Sequence, residues 1–256
     1  MTGNEVSTPS QTALDEIEKL AQEHAGLGTS DREEDKIQAW VKVLHQQSPE
    51  LNARDPSYVV DGRPGDLWIA AQNLLIKGEE GIWVQQVGYN YAWVEWPGAA
   101  GSGGRPINRY PDKPEHLGGN SDTIGRIDLP NGHQIIETRY HLVLIYRDGE
   151  PPFAATINYS STGAGVSQNW TNSIWHKFNA DGSKAPAFKY IWHMTTVERS
   201  NDKGRWYLLM PRKGEEKLAT PEQFRLGLET AQRISANKLQ MAEEDATNAS
   251  IDAIPF

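Results

Sequence analysis

Residues 82–96 read IWVQQVGYNYAWVEW, and the way this stretch lies on a sheet decides the rest of the fold. IWVQQV and YNYAWVEW both alternate at period two around Gly88, which predicts two consecutive strands or one strand carrying a bulge. Successive strand residues point to opposite faces, so Tyr89, Tyr91 and Trp93 share one face while Ala92 and Val94 share the other. If the smaller apolar face packs inward, three rings stand in a row on the outer face, a platform on which unpaired bases stack. The opposite assignment buries the rings and turns Ala92 and Val94 towards a second layer. Tyr140 and Tyr146, and Tyr190 with Trp192, admit the same two assignments.

Outward from this stretch, AWVKVLH (39–45) alternates Val41 and Val43 against Trp40, Lys42 and Leu44. PGAAGSGGRPINRYPDKPEHLGG (97–119) is rich in Gly and Pro and reads as one long loop. IIETRYHLVLIY (135–146) and FAATINY (153–159) read as strands joined by the turn RDGEPP, and KYIWHMTTVE with RWYLLM as a hairpin joined by RSNDKG. Between these pairs, Val166, Trp170 and Ile174 form the stripe of a short helix. Thr220 as N-cap, Pro221 at N1 and Gln223 at N3 open a second helix that runs to about Met241. Near the start, Ala13, Leu14, Ile17, Leu20 and Ala21 predict an amphipathic helix over 10–25.

This order predicts an α+β, mainly β protein: an elaborated OB-fold-like barrel with a helix between strands, plus N- and C-terminal helices. The expected division is an acidic N-terminal arm with a helix (1–35), an OB-like nucleic-acid-binding domain (36–213), a C-terminal helix (214–242) and a disordered acidic tail (243–256).

The formal net charge of -9 argues superficially against a nucleic-acid partner, because binding to phosphates rests largely on counterion release by Lys and Arg. Its distribution reverses that inference. Residues 1–35 carry nine acidic and two basic side chains, residues 36–213 carry 17 and 19, and residues 214–256 carry eight and four. All nine Trp and all nine Tyr lie between Trp40 and Tyr207, inside the neutral-to-basic body. The stretch 189–213 interleaves Lys189, Arg199, Lys203, Arg205, Arg212 and Lys213 with Tyr190, Trp192, Trp206 and Tyr207, as a single strand of nucleic acid requires. The long loop contributes Arg105, Arg109 and Lys113, and Trp40, Lys42, Arg139 and Arg147 complete the candidate nucleic-acid-binding set with the three strand rings.

Catalytic and cofactor signatures are missing from the sequence. The chain has no cysteine, which removes disulfides, thiolate zinc sites and cysteine nucleophiles and fits a reducing compartment. Its seven histidines show no metal-ligand spacing, and neither a phosphate loop nor a nucleophile elbow is present. Asp128, Glu137 and Arg139 form only a weak nuclease-like set. We therefore expect a non-enzymatic protein without cofactors. No apolar run approaches the ~18 residues of a membrane span and the N-terminus has no signal-peptide pattern, so the expected location is cytoplasmic.

The chain ends AEEDATNASIDAIPF. This ending resembles the C-terminal tip of bacterial single-stranded DNA-binding proteins, an acidic run closing in Ile-Pro-Phe, with Asp252, Ile254, Pro255 and Phe256 at the matching positions and Ala253 where another acid would stand. The resemblance implies that these four residues dock replication, recombination and repair enzymes. SPE at 48–50 and TTVERSNDKGRWY are similar to stretches of replication-module proteins of tailed bacteriophages. Together they imply a phage-encoded single-stranded DNA-binding protein, acting in the cytoplasm of an infected bacterial host and recruiting phage or host proteins through its tip. An accessory protein that uses the tip without coating DNA is the alternative. Self-association into a homo-oligomer stays open.

Overall fold

The computed structural model describes Lys19 and residues 39–98, 106–122, 125–202 and 204–235. The chain divides into two compact units, 1–36 and 37–256. Of the first, only Lys19 is described, in helical conformation, so the helix expected over 10–25 otherwise lies outside the described residues. Arg105, Lys203 and the tail with Asp252, Ile254, Pro255 and Phe256 also lie outside them.

The second unit is α+β and mainly β. A small antiparallel sheet has the order β1 (Lys42–Val43), β2 (Leu67–Ile69), β3 (Leu74–Ile76). The large sheet is built on β4 (Ile82–Trp96) and β8 (Gln134–Arg147), which pair antiparallel along almost their whole length. β10 (Tyr190–Asn201) pairs with the first residues of β4, and β5 (Asn108–Tyr110) with its last ones. On the far edge of β8, β7 (Arg126–Asp128) and β9 (Glu150–Ser160) succeed one another in the same way. β11 (Gly204–Pro211) and β12 (Lys217–Leu218) pair with β10, and β6 (Asn120–Ser121) with β7.

Residues 82–96 are thus one strand with a bulge, a register shift falling between Gln86 and Gly88. The inserted Val87 changes the parity of the strand. His141 hydrogen-bonds Gln86 and also meets the Tyr89 ring edge-on at 5.0 Å, so these two residues, three apart, share a face. Val84 and Gln86 therefore line the same face as Tyr89, Tyr91 and Trp93. A Cβ at Gly88 would meet the end of the Leu142 side chain at 2.9 Å, so a larger residue here needs that side chain to shift.

That shared face is concave and holds the main core: Ile82, Val84, Val143, Ile145, Ile157, Trp192, Met194 and Leu209, closed by Leu67 and Ile69 of β2 and by Val166 and Trp170 of α1 (Ala164–Trp175). The curl is severe. Four strand spacings separate β9 from β11, about 19 Å in a flat sheet, yet the Tyr159 hydroxyl of β9 donates to the Leu209 carbonyl of β11 at 2.9 Å. Even so, the described sheets are not closed into a barrel by a backbone ladder; β9 is flanked by a parallel bridge from Trp40 to Thr156.

α2 (Pro221–Ser235) packs against the opposite face of β4. Its start is the expected capping box, with the Thr220 N–H donating to Gln223 Oε1 at 2.9 Å and the Gln223 N–H to Thr220 Oγ1 at 3.2 Å. Gly227 lets it approach Gln85, whose amide donates to the carbonyls of Phe188 (2.7 Å) and Gln223 (3.1 Å).

The reading of 97–119 as loop alone needs correction. Asn108 and Tyr110 both donate to Glu95, buried near the end of β4, at 3.1 and 2.7 Å, and these bonds hold β5 in the sheet. A buried carboxylate needs such donors, and the Pro/Gly-rich context hid the three-residue strand that carries them.

The tie across the curl gives a test. Tyr159→Phe leaves the Leu209 carbonyl without its donor and should cost about 1–2 kcal/mol, read as a lower urea midpoint at unchanged slope. An unchanged midpoint would show that core packing alone sets the curl.

Candidate nucleic-acid interface

The rings singled out in the sequence meet different fates. Tyr89 and Tyr91 are 40% and 45% exposed, whereas Trp93 is buried among Ile127, Leu129 and Ile135, with Tyr110 and Leu117 packed against them. Trp93 cannot receive a base without opening that cluster. Trp192 and Trp206 are buried, Tyr190 is half-buried, and Trp40 meets the buried Tyr140 edge-on at 6.0 Å.

The cations divide in the same way. Lys42 makes a bidentate pair with the buried Glu50 (3.0 and 2.9 Å), and Arg139 is held by Glu137 (2.8 Å) and the Ala164 carbonyl (3.3 Å) at the root of α1. Arg109 reaches the Tyr140 hydroxyl at 3.4 Å, on the opposite face from Tyr89 and Tyr91. Lys113 lies 6.0 Å from the Trp93 ring centroid. Arg147 and Lys213 are exposed. Arg212 pairs with Glu215 at 3.3 Å, and Glu215 also meets His193 Nδ1.

Arg199 and Arg205 stand on the ribbon of β10 and β11, which extends past the first residue of β4. Arg205 pairs with Glu198 at 3.5 Å. Tyr89 lies towards the other end of β4, roughly twelve residues of rise from Arg199, on the order of 40 Å along straight strands. The strand rings and the hairpin cations therefore stand on different stretches of the sheet. Lys189 stands beside the first residue of β10, where its Nζ lies 5.9 Å from the Tyr190 centroid and donates to Asn179 at 2.8 Å.

Sequence reasoning missed the connection between α1 and β10. Trp175 and Phe178 are 63% and 50% exposed, and Lys184 Nζ lies 4.4 and 4.3 Å from their ring centroids. Lys177 Nζ lies 4.9 Å over Tyr190 and pairs with Glu216 at 2.8 Å. The helical stripe drew attention to Ile174; the signal overlooked was a Trp one step off that stripe, followed by HKFNADGSK with three basic or histidine positions and one acid.

Beneath Tyr89, His141 joins the sheet to α1. It stacks on Trp170 (4.4 Å, 17°), its Nδ1 donates to Gln86 Oε1 and its Nε2 accepts from the Ser167 hydroxyl, both at 2.7 Å. This serine–imidazole–amide chain has the connectivity of a nucleophile relay, but Ser167 and His141 are both fully buried and serve to fix α1. Nor do Asp128 and Glu137 form one acidic site, since their register places them on opposite faces of the sheet. Among the described residues no group of three His, Asp or Glu side chains is placed to hold a metal ion.

The chain belongs to the Pam3 phage gp34-like protein family, whose match spans residues 11–240, and it is thus a phage-family protein. No curated protein and no solved structure matches it. Among the described residues no helix is long and apolar enough to cross a membrane.

Burial, reinforced by Arg139, lowers the pKa of His141 to about 3, and burial with Lys42 nearby lowers that of His45 to about 4; the Tyr207 N–H accordingly donates to His45 Nδ1 at 3.3 Å. Both imidazoles titrate lower in the folded chain than in the unfolded one, so the unfolded state takes up protons first. Their stabilisation is complete above about pH 6.5 and is lost as pH falls, by up to about 1.4 kcal/mol per pH unit for each histidine. Urea unfolding should show a decrease of about 3 kcal/mol between pH 7.5 and 5.5, and His141→Asn should flatten the slope. A flat profile in the parent protein would contradict this account.

Proposed function

We propose that this protein binds single-stranded DNA without sequence preference during phage replication and recombination. The observation that carries the proposal is the pair Tyr89 and Tyr91, two large rings left exposed on the concave face of a sheet whose other half is closed core. In this reading the curled sheet, with α1 packed into its concavity, is an elaborated OB-like barrel, and the tyrosines stack on successive bases at its mouth. Lys189 and the ribbon arginines neutralise phosphates, and no cofactor or metal enters. Membership of a phage protein family supports the biological setting.

The acidic C-terminal segment and the tip formed by Asp252, Ile254, Pro255 and Phe256 serve as a separate element that recruits phage or host replication and recombination proteins. A flexible acidic tail also competes with DNA for basic surface, which accounts for a neutral-to-basic body between acidic ends.

Two measurements test this reading. Oligo-dT should bind with an affinity that falls steeply with salt, and Tyr89→Ala/Tyr91→Ala should weaken binding by about tenfold or more in a protein that still unfolds cooperatively. Absence of binding by the parent protein at low salt would overturn the proposal. Separately, deletion of residues 249–256 should leave or raise DNA affinity while abolishing capture of replication proteins; a fall in DNA affinity would assign the tail to the fold instead.

A further inference from the structure

We infer that the connection between α1 and β10 is a second, preformed stacking site for the same strand, with Trp175 and Phe178 as its base-binding rings and Lys184 as its phosphate contact. This rests on the single-stranded DNA reading above. The segment is built with care for a surface turn. Phe178 and Lys184 form an antiparallel bridge, Asp181 caps the turn through the Ser183 N–H (3.0 Å) and hydroxyl (2.7 Å), and Asn179 binds Ser183 Oγ at 2.9 Å and the Lys184 carbonyl at 3.3 Å. The Ala185 N–H returns to the Lys177 carbonyl at 3.1 Å. This bonding holds two aromatic rings in water, where neither contributes to the core clusters.

The Lys184 ammonium is shared between the two rings and donates to the Trp175 carbonyl at 2.7 Å. Such exposed cation–π contacts are weak, on the order of 0.5–1 kcal/mol, so an arriving base can take the ring face and free the ammonium for the adjoining phosphate. Lys177, paired with Glu216, and Lys189 flank the turn that Asp181 caps, and both ammoniums lie over Tyr190 on the concave side of β10. α1 links this turn to Tyr89, because Trp170 stacks on the His141 ring that Tyr89 touches. Rings interleaved with cations suit a strand of unpaired nucleotides better than an apolar protein surface, which would offer Lys184 and Lys189 nothing of opposite charge.

The test uses the full chain, a labelled oligo-dT strand and anisotropy titrations at several salt concentrations. Trp175→Ala/Phe178→Ala should weaken binding about tenfold or more, Trp175→Phe should retain most of it, and Lys184→Gln should reduce the salt slope by about one. All three positions are exposed, so urea midpoints should stay within error of the parent. If the parent binds and the double variant binds equally well, this site is refuted while the Tyr89–Tyr91 reading stands. If the parent does not bind, both fall together. If light scattering shows the double variant changing oligomeric state with DNA affinity unchanged, the rings belong to an interface between copies and the inference is wrong.

Discussion

A single hydrogen bond across the concavity, from the Tyr159 hydroxyl to the Leu209 carbonyl, states the constraint under which the large sheet is built. Its ends lie four strand spacings apart, and a tyrosine side chain spans them only if the sheet is strongly coiled. The Tyr159 phenol is fully buried, and that burial raises its pKa well above the usual tyrosine range, so it stays a neutral donor. Left unpaired in that setting it would cost on the order of 1–3 kcal/mol. The curl and the bond therefore depend on one another. Given the curl, one face must be filled by side chains, and β2 and α1 supply what the nine-stranded sheet cannot.

Within that curl, the bulge at Val87 decides what the concave face offers. Without it, Tyr89, Tyr91 and Trp93 would alternate onto the face that carries Gln85 and α2, and the concave face would run on with Gly88, Asn90 and Ala92. With it, an apolar, closed half (Ile82, Val84) passes into an aromatic, open half on the same side. His141 sits at the join, satisfied on both nitrogens and clamped between Trp170 and the edge of Tyr89. Burial keeps it neutral, so this joint does not respond to pH in the neutral range.

Much of this was legible in the sequence, for local reasons. The stripe of Val166, Trp170 and Ile174, the capping box at Thr220 and the hairpin around 201–204 are all set by neighbours in the chain, and each forms where its pattern places it. That Tyr89, Tyr91 and Trp93 share a face was also legible, because period two is a property of the strand alone. Which face it is was not, since that depends on one inserted residue and on a curl set by contacts between Tyr159 and Leu209, 50 residues apart. The burial of Trp93 was equally hidden, because Ile127, Leu129 and Leu117 reach it from segments whose Gly/Pro content reads as loop. Lys42 looked like a phosphate contact only because its partner Glu50 is buried eight residues away.

Separating rings from cations changes what a bound strand would have to do. Counted along straight strands, the ribbon arginines stand on the order of 40 Å from the tyrosines, so in the proposed reading they face phosphates further along the strand than those of bases stacked on Tyr89 and Tyr91. Those phosphates need cations close to the open half of the concave face. Lys177 and Lys189 lie over Tyr190 on the concave side of β10, and Lys184 lies over Trp175. In the proposed reading the ribbon draws in a polyanion through a charge that salt screens, while the α1 turn acts at contact, where stacking resists salt. A strand held this way meets steering and stacking on different elements, and weakening one leaves the other intact.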